Sequence, residues 1–373
     1  MTDPRLTKLA ELLVSYSVEI KPNQLVRISG SSIASPLIVE LYKAVIKAGA
    51  HPLVYMTPDE ISEIKYKYAN DEQLKYISPT AWSMVENIDA SIGIWAESNT
   101  KALSNCDPSR QALASAAQKP IKDKFFERAA KGELKWVGTQ FPCNASAQDA
   151  EMSLSEYEEF VYKAGLLHLE NPADEWQKIA ERQQRLADFL NSKEEIRITT
   201  SAGTDIRFNV AGRKWINCCG HENFPDGEVF TGPVEDATEG TIMFSFPAVH
   251  GGREVSDVIL TFKAGRVVDA SASKNEEFLL KMLEQDEGAK ILGELAFGTN
   301  YSIRRYTKNT LFDEKIGGTV HCAVGSAYPE TGGKNQSGLH WDMVCDLRQG
   351  GKVFADGELI SENGKFLNPD WPS

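Results

Sequence analysis

The segment Gly338-Leu339-His340-Trp341-Asp342-Met343-Val344-Cys345-Asp346-Leu347 sets an imidazole and a carboxylate two residues apart in an otherwise mostly apolar run. Side chains alternate across a strand, so His340, Asp342 and Asp346 share one face with Val344, while Trp341, Met343, Cys345 and Leu347 share the other. The apolar face belongs to a core. The opposite face offers nitrogen and oxygen donors about 7 Å apart along the strand, which converging side chains can bring onto one metal ion. A lone His-x-Asp pair is equally an ordinary solvated strand face, so the neighbouring run matters. In Thr319-Val320-His321-Cys322-Ala323-Val324-Gly325 a second imidazole sits mid-strand, with valines on the opposite face, where a core strand prefers an apolar residue. Two such histidines suggest ligands, whereas one alone would suit a hydrogen-bonded core position.

Glu228, in Asn223-Phe224-Pro225-Asp226-Gly227-Glu228-Val229-Phe230, and Glu294, in Leu292-Gly293-Glu294-Leu295-Ala296, are further candidates. Each taken singly reads as a loop carboxylate open to water. Together with His321, His340 and Asp342 they form a nitrogen and oxygen donor set suited to zinc, cobalt or manganese, and large enough for two ions. Tyr328 follows His321 by seven positions. That odd offset reaches the same side only if the chain bends near Gly325 or Pro329. Asp313, Glu314 and Glu330 are acidic neighbours whose expected place is exposed surface, with proton transfer or support of the ligands as their functional reading. The vicinal Cys218-Cys219 pair near Trp215 reads as packing and carries no assigned role.

Positioning these groups requires two kinds of architecture. Leu25 to Ile28 is an apolar strand, followed by a Ser/Gly turn and a helix with Leu37, Ile38, Leu41, Ala44, Val45 and Ala48 on one face. Ser35 is placed to cap that helix, Pro36 suits its first turn and Gly49 the left-handed residue after its end. Pro52 to Met56 then completes a parallel strand-helix-strand crossover. Strands at Ala90 to Trp95 and Leu134 to Thr139, with a helical stretch around Lys122 to Ala130, make the first half α/β. Composition shifts at Glu170-Asn171-Pro172, which predicts an N-terminal domain over 1–171 and a C-terminal metal-binding catalytic domain over 172–373. The second half reads as α+β: an amphipathic helix over Trp176 to Leu190, a hairpin of Glu195–Thr200 with Ile206–Val210, and another of Val258–Phe262 with Arg266–Ala270. A helix over Glu276 to Leu292 precedes strands at Gly318–Gly325, Gly338–Leu347 and Lys352–Ala355. The expectation is a largely antiparallel sheet carrying the metal site.

The 373 residues exceed the usual size of a single core. With 42% hydrophobic and 25% charged residues, usage is that of a globular chain. A formal charge of −13 disfavours nucleic acid and anionic membrane, both of which call for a basic surface. The N-terminal stretch lacks the apolar run of a signal peptide, which points to the cytoplasm. Six scattered cysteines without a CxxC pair suggest reduced thiols, and the Asn144 and Asn335 glycosylation patterns carry no weight in that compartment. Ile28-Ser29-Gly30-Ser31-Ser32 has neither the glycines of a dinucleotide fingerprint nor the lysine of a P-loop, and no GxSxG elbow occurs.

The ordered stretches NFPDGEVFTGP, DEGAKILGELAFG, NTLFDEKIGGTVHCAVGSAYPETGG and NQSGLHWDMVCDLR, with KLAELLVSYSVEIKPNQLVRISG near the N-terminus, resemble the successive signatures of the thermophilic metallo-aminopeptidases of the aminopeptidase T type. That resemblance implies that Glu228, Glu294, His321, His340 and Asp342 ligate a pair of divalent ions and that Tyr328 is the tyrosine at the reaction centre. It also implies peptide substrates with a free N-terminus, a smaller α/β domain beside the metal domain, and a homodimer. Two ions about 4 Å apart activate a water and polarise the scissile carbonyl. Asp342 is the expected shared carboxylate, and Tyr328 the expected donor to the oxyanion. The competing reading is a catalytically inactive peptide- or metal-binding protein on the same two-domain cleft.

Overall fold

The structure is a computed structural model that describes residues 3–373. It divides into two compact units, one of Met1–Ala173 with Gly220–Pro225, the other of Asp174–Cys219 with Asp226–Ser373. The chain therefore returns to the first unit after entering the second, a return that the simple division between residues 171 and 172 does not contain. The returning segment adds a short strand, Asn223–Phe224, parallel to Lys135–Gln140.

The first unit is built on a five-stranded parallel sheet. Its order is His51–Thr57, Leu25–Ser31, Ala90–Trp95, Lys135–Gln140, Asn223–Phe224. The crossover helix, Ser35–Lys47, buries Leu37, Ile38, Leu41, Ala44 and Val45. Its start differs from the sequence expectation: Ser35 is already helical, and Ser31 caps the short 3-10 turn Ser32–Ala34 that leads into it. Gly49 does adopt the left-handed conformation after the helix, at φ +79°.

The second unit is antiparallel. An eight-stranded sheet runs in the order Arg266–Ser271, Ile259–Lys263, Glu239–Met243, Asp205–Asn209, Glu195–Thr199, Lys352–Ala355, Glu358–Glu362, Lys365–Phe366. A five-stranded sheet runs His340–Asp346, Thr319–Gly325, Leu292–Gly298, Glu228–Thr231, Ile216–Cys218. One face of this second sheet feeds the main core with Val229, Leu295, Phe297, Val320, Cys322, Val324, Trp341, Met343 and Cys345. Full burial of each large apolar side chain contributes about 1.5–3 kcal/mol, so this face alone fixes which residues of each strand must point the other way.

The helix expected over Glu276 to Leu292 stops at Leu283. Asp286 breaks it by accepting hydrogen bonds from the backbone N–H of Gly288 and Gly338 and from the Ser337 hydroxyl. Leu292–Gly298 is instead a fully buried strand. Its apolar run suits a buried helix or a buried strand equally by periodicity.

Candidate metal centre

Directly opposite residues of an antiparallel pair project to the same face. Ala296 faces His321, Glu294 faces Ala323, and Glu228 faces Gly298. On the next ladder Ala323 faces Asp342, and Gly325 faces His340. Glu228, Glu294, His321, His340 and Asp342 thus project from four strands to one face, and the positions between them are Ala296, Ala323, Gly298 and Gly325. Small residues leave the floor of the cluster open where any larger side chain would fill it.

Two local irregularities aim the donors. The ladder slips by one residue between Leu292 and Glu294. That bulge lets Leu292 and Leu295, an odd three apart, both enter the core while Glu294 keeps the opposite face. Gly293 at the bulge has no alternative, because a Cβ there would lie 2.1 Å from the Ser326 carbonyl oxygen. Glu228 sits at the start of its strand, where the buried Gln183 side chain donates to the Glu228 carbonyl (3.1 Å), to Cys218 O and to Asn217 Oδ1. It also accepts from the Thr299 hydroxyl.

His321 Nε2 lies 3.3 Å from Glu228 Oε2 and 3.4 Å from Glu294 Oε1. His340 Nε2 lies 3.3 Å from Glu294 Oε2 and 3.4 Å from Asp342 Oδ2. Glu294 therefore spans both imidazoles, one oxygen to each. His340 Nδ1 is 2.8 Å from the Ser326 carbonyl, which only accepts, so Nδ1 carries the hydrogen and Nε2 faces the carboxylates. Glu228 Oε2, both ring nitrogens of His321 and Asp342 Oδ1 are buried without a hydrogen-bond partner. Orphaned buried donors and acceptors are costly, and oxygen and imidazole atoms of this kind converging on one point fit a divalent ion. Among the described residues two groups meet that geometry, Glu228 with Glu314 and His321, and Glu294 with His321 and Asp342. Within each, one donor atom per residue lies within 4.8 Å of the others.

Two residues enter the centre that the sequence reading placed elsewhere or passed over. Glu314, expected on exposed surface, has a side chain only 15% exposed. Lys315 is 1% exposed, with Nζ 2.8 Å from Glu228 Oε1 and 3.0 Å from Glu314 Oε2. A lysine inside Leu311-Phe312-Asp313-Glu314-Lys315-Ile316-Gly317-Gly318, a charged triplet enclosed by apolar and glycine residues, was the available signal. Asp313 is also buried rather than exposed, accepting from the Thr307 N–H (2.7 Å) and hydroxyl (2.9 Å). Glu330 alone of the three is exposed.

The electrostatics follow from crowding. Burial raises the Glu294 and Asp342 carboxyls, but the imidazoles of His321 and His340, within 3.4 Å of Glu294, and of His340, 3.4 Å from Asp342, outweigh it and leave both below their ordinary values. Burial lowers the imidazoles, yet the carboxylates lift His321 to about 9 and His340 to about 12. Glu314 is pushed well above the carboxylate range, chiefly by burial, with Lys315 opposing. Burial also opposes the Lys315 charge, but Glu228 and Glu314 overcome it and hold the ammonium protonated. A metal ion at the imidazoles must displace protons, so its binding strengthens as pH rises.

The chain does bend after Gly325, at φ +105°, and Tyr328 comes back over the centre. Its ring meets His340 edge-on with centroids 5.2 Å apart and Phe230 at 5.3 Å. Thr331 donates its hydroxyl to the Tyr328 carbonyl (2.6 Å), Lys214 N–H donates to Thr331 O (3.0 Å), and the buried Arg213 guanidinium donates to the Gly332 carbonyl. Asn335, a residue of one glycosylation pattern, is engaged in the same region, donating to Gly288 O (2.9 Å) and Gly325 O (2.5 Å). Partial burial and then the surrounding carboxylates raise the Tyr328 phenol above its ordinary value. Beside Asp342 lies a small cavity walled by Pro247, Val249, Tyr306 and Val344, with Asp313 and Glu314 at its polar side.

A family model for thermophilic metalloproteases (M29) matches residues 2–366. Aminopeptidase 2 of Geobacillus stearothermophilus is 29% identical over 353 residues, spanning 88% of this chain and 84% of its own length. Aminopeptidase AmpS of Bacillus subtilis is 28% identical over 409 residues, spanning 98% of both. The solved structure of wild-type AmpT from Thermus thermophilus shares the fold, with a TM-score of 0.85 at 24% identity over 98% of this chain and 99% of that one. A match that covers the whole parallel sheet and every strand of the donor-bearing face makes this chain a member of the thermophilic metalloprotease (M29) family.

Proposed function

We propose that the chain is a metal-dependent aminopeptidase that hydrolyses the N-terminal bond of peptides. The observation that carries this reading is the set of orphaned, buried Glu, His and Asp atoms converging on one sheet face in a chain of a metalloprotease family. Glu228, Glu294, His321, His340 and Asp342 are the proposed ligands of two divalent ions, zinc, cobalt or manganese, and Glu314 joins them. Bound ions of this kind acidify a water and polarise a carbonyl. Glu294 is the proposed shared carboxylate in place of Asp342, because Glu294 alone reaches both imidazoles through separate oxygens.

The protein's own groups do the rest. Ser326 holds His340 in the tautomer that presents Nε2. Tyr328 is the proposed catalytic donor: its phenol stays protonated and stands beside His340, where it can hydrogen-bond the oxyanion that forms from the scissile carbonyl. The apolar wall of the cavity beside Asp342 suits a substrate side chain, and the carboxyls at its edge suit a cationic amino terminus.

The proposed domain roles assign this chemistry to residues 172–373 and support to residues 1–171. A homodimer is supported by the edge strand His51–Thr57, which leaves Tyr55 and Met56 exposed close in sequence to the exposed Val39, Tyr42 and Ile46 of the crossover helix. No helix among the described residues is long and apolar enough to cross a membrane, in keeping with the proposed cytoplasmic location. The test is cleavage of leucine p-nitroanilide against its N-acetylated form. Cleavage of the free amine alone supports an aminopeptidase; equal cleavage of both identifies a different peptidase, and ion binding without any turnover identifies a binding protein.

A further inference from the structure

The two donor groups are chemically unequal, and the difference is Lys315. Glu228 and Glu314 each already give one oxygen to its ammonium, at 2.8 and 3.0 Å. Glu294 and Asp342 give none to a lysine or arginine; their near partners are the imidazoles. The lysine is enclosed. Its side chain is 1% exposed, and its backbone is pinned by Asn300 N–H donating to its carbonyl (3.0 Å) and by its own N–H donating to Phe312 O (3.1 Å). The carboxyls on the Glu228 side are thus already satisfied in part by a cation, and those on the Glu294 side are not. A fixed positive charge within the same buried cage also repels an arriving dication.

We propose that Lys315 acts as a built-in monovalent cation, so that the Glu294 and Asp342 position, with His340, holds a divalent ion tightly while the Glu228, Glu314 and His321 position is weak and exchangeable. This rests on the reading that the face binds divalent ions. Lys315 is a positioning residue in this scheme: it fixes Glu228 and Glu314 with one oxygen engaged and the other turned to the cage.

The experiment measures bound metal rather than turnover. The full chain is stripped with chelator, reloaded with zinc or manganese, dialysed against metal-free buffer, and its metal counted by mass spectrometry, with a calorimetric titration of the stripped protein alongside. The expected result is one retained ion per wild-type chain and a second site weaker by at least about tenfold. Lys315→Met narrows that gap and retains two ions, and Lys315→Arg, which keeps the charge, behaves as wild type. Two equally tight ions in the wild-type chain overturn the proposal, as does an unchanged gap in Lys315→Met. If the Met variant does not fold, the wild-type titration decides by the same criterion. Retention of no ion by any of the proteins overturns the metal-centre reading itself, a result distinct from two equal ions.

Discussion

Replacing Tyr328 by Phe separates the hydroxyl from everything else that side chain does. The ring contacts to His340 and Phe230, at 5.2 and 5.3 Å between centroids, are kept by Phe. The turn that carries residue 328 is held through main-chain carbonyls by Thr331 and Arg213, so the backbone has no reason to move. Tyr328 is 41% exposed, and the change in folding stability should stay within about 0.5 kcal/mol. What is lost is one neutral donor aimed at a developing oxyanion, a loss that costs about 2.7–4 kcal/mol of transition-state stabilisation, or 10²–10³ in kcat. The phenol lies above its ordinary pKa among carboxylates, so it is protonated across the working range and the defect should be the same at every pH in that range. Steady-state hydrolysis of leucine p-nitroanilide, with metal content and melting temperature measured on the same samples, gives the test. A kcat within about threefold of wild type refutes the oxyanion role, and a loss confined to KM assigns the hydroxyl to substrate binding instead.

Other consequences can be measured separately. Asp313 is raised by burial from the ordinary aspartate value of 3.8 to about 7. A carboxyl whose folded value is the higher one stabilises the fold fully below its unfolded value and loses that contribution as pH rises through about 7. Urea unfolding at pH 5 and pH 8 should therefore show Asp313→Asn gaining on the order of 3 kcal/mol relative to wild type over that interval; parallel pH dependences would contradict it. Ala323→Leu puts a large side chain on the floor between Glu294 and Asp342, and should abolish metal retention while costing about 1–3 kcal/mol of stability; undiminished metal content would show that this floor is not where the ion sits. Gly293→Ala forces a Cβ to 2.1 Å from the Ser326 carbonyl and should lower stability by about 2 kcal/mol or more, with a change under about 0.5 kcal/mol refuting the close approach.

The parts of this centre that could be read from the sequence are those with strict alternation. His340 and Asp342 lie opposite Trp341, Met343 and Cys345, and His321 opposite Val320 and Val324, because burying one face of a strand dictates the other. Glu294 was legible as a residue type but not as a strand residue: Leu292–Gly298 is buried on both faces, so it has no polar alternation, and the bulge at Gly293 breaks the period. Glu314 reads from the sequence only as an acidic neighbour expected on exposed surface, and Lys315 is passed over. Charged residues are expected in water, and the mutual pairing that allows them to be buried joins Lys315 to Glu228, far away in sequence. In the fold as a whole, the parallel crossover and the hairpins followed from local patterns. The return of Gly220–Pro225 to the first unit depends on a short strand with no periodicity of its own.

The central claim is that a divalent ion held on the Glu294 face drives aminopeptidase turnover. The direct measurement is the rate of leucine p-nitroanilide hydrolysis by the purified chain before chelation, after chelation, and after add-back of zinc, cobalt or manganese. Activity that disappears with the metal and returns with it, and that Glu294→Gln lacks at every metal concentration, is the predicted result. Unchanged turnover in chelated protein shown to be free of metal contradicts the account.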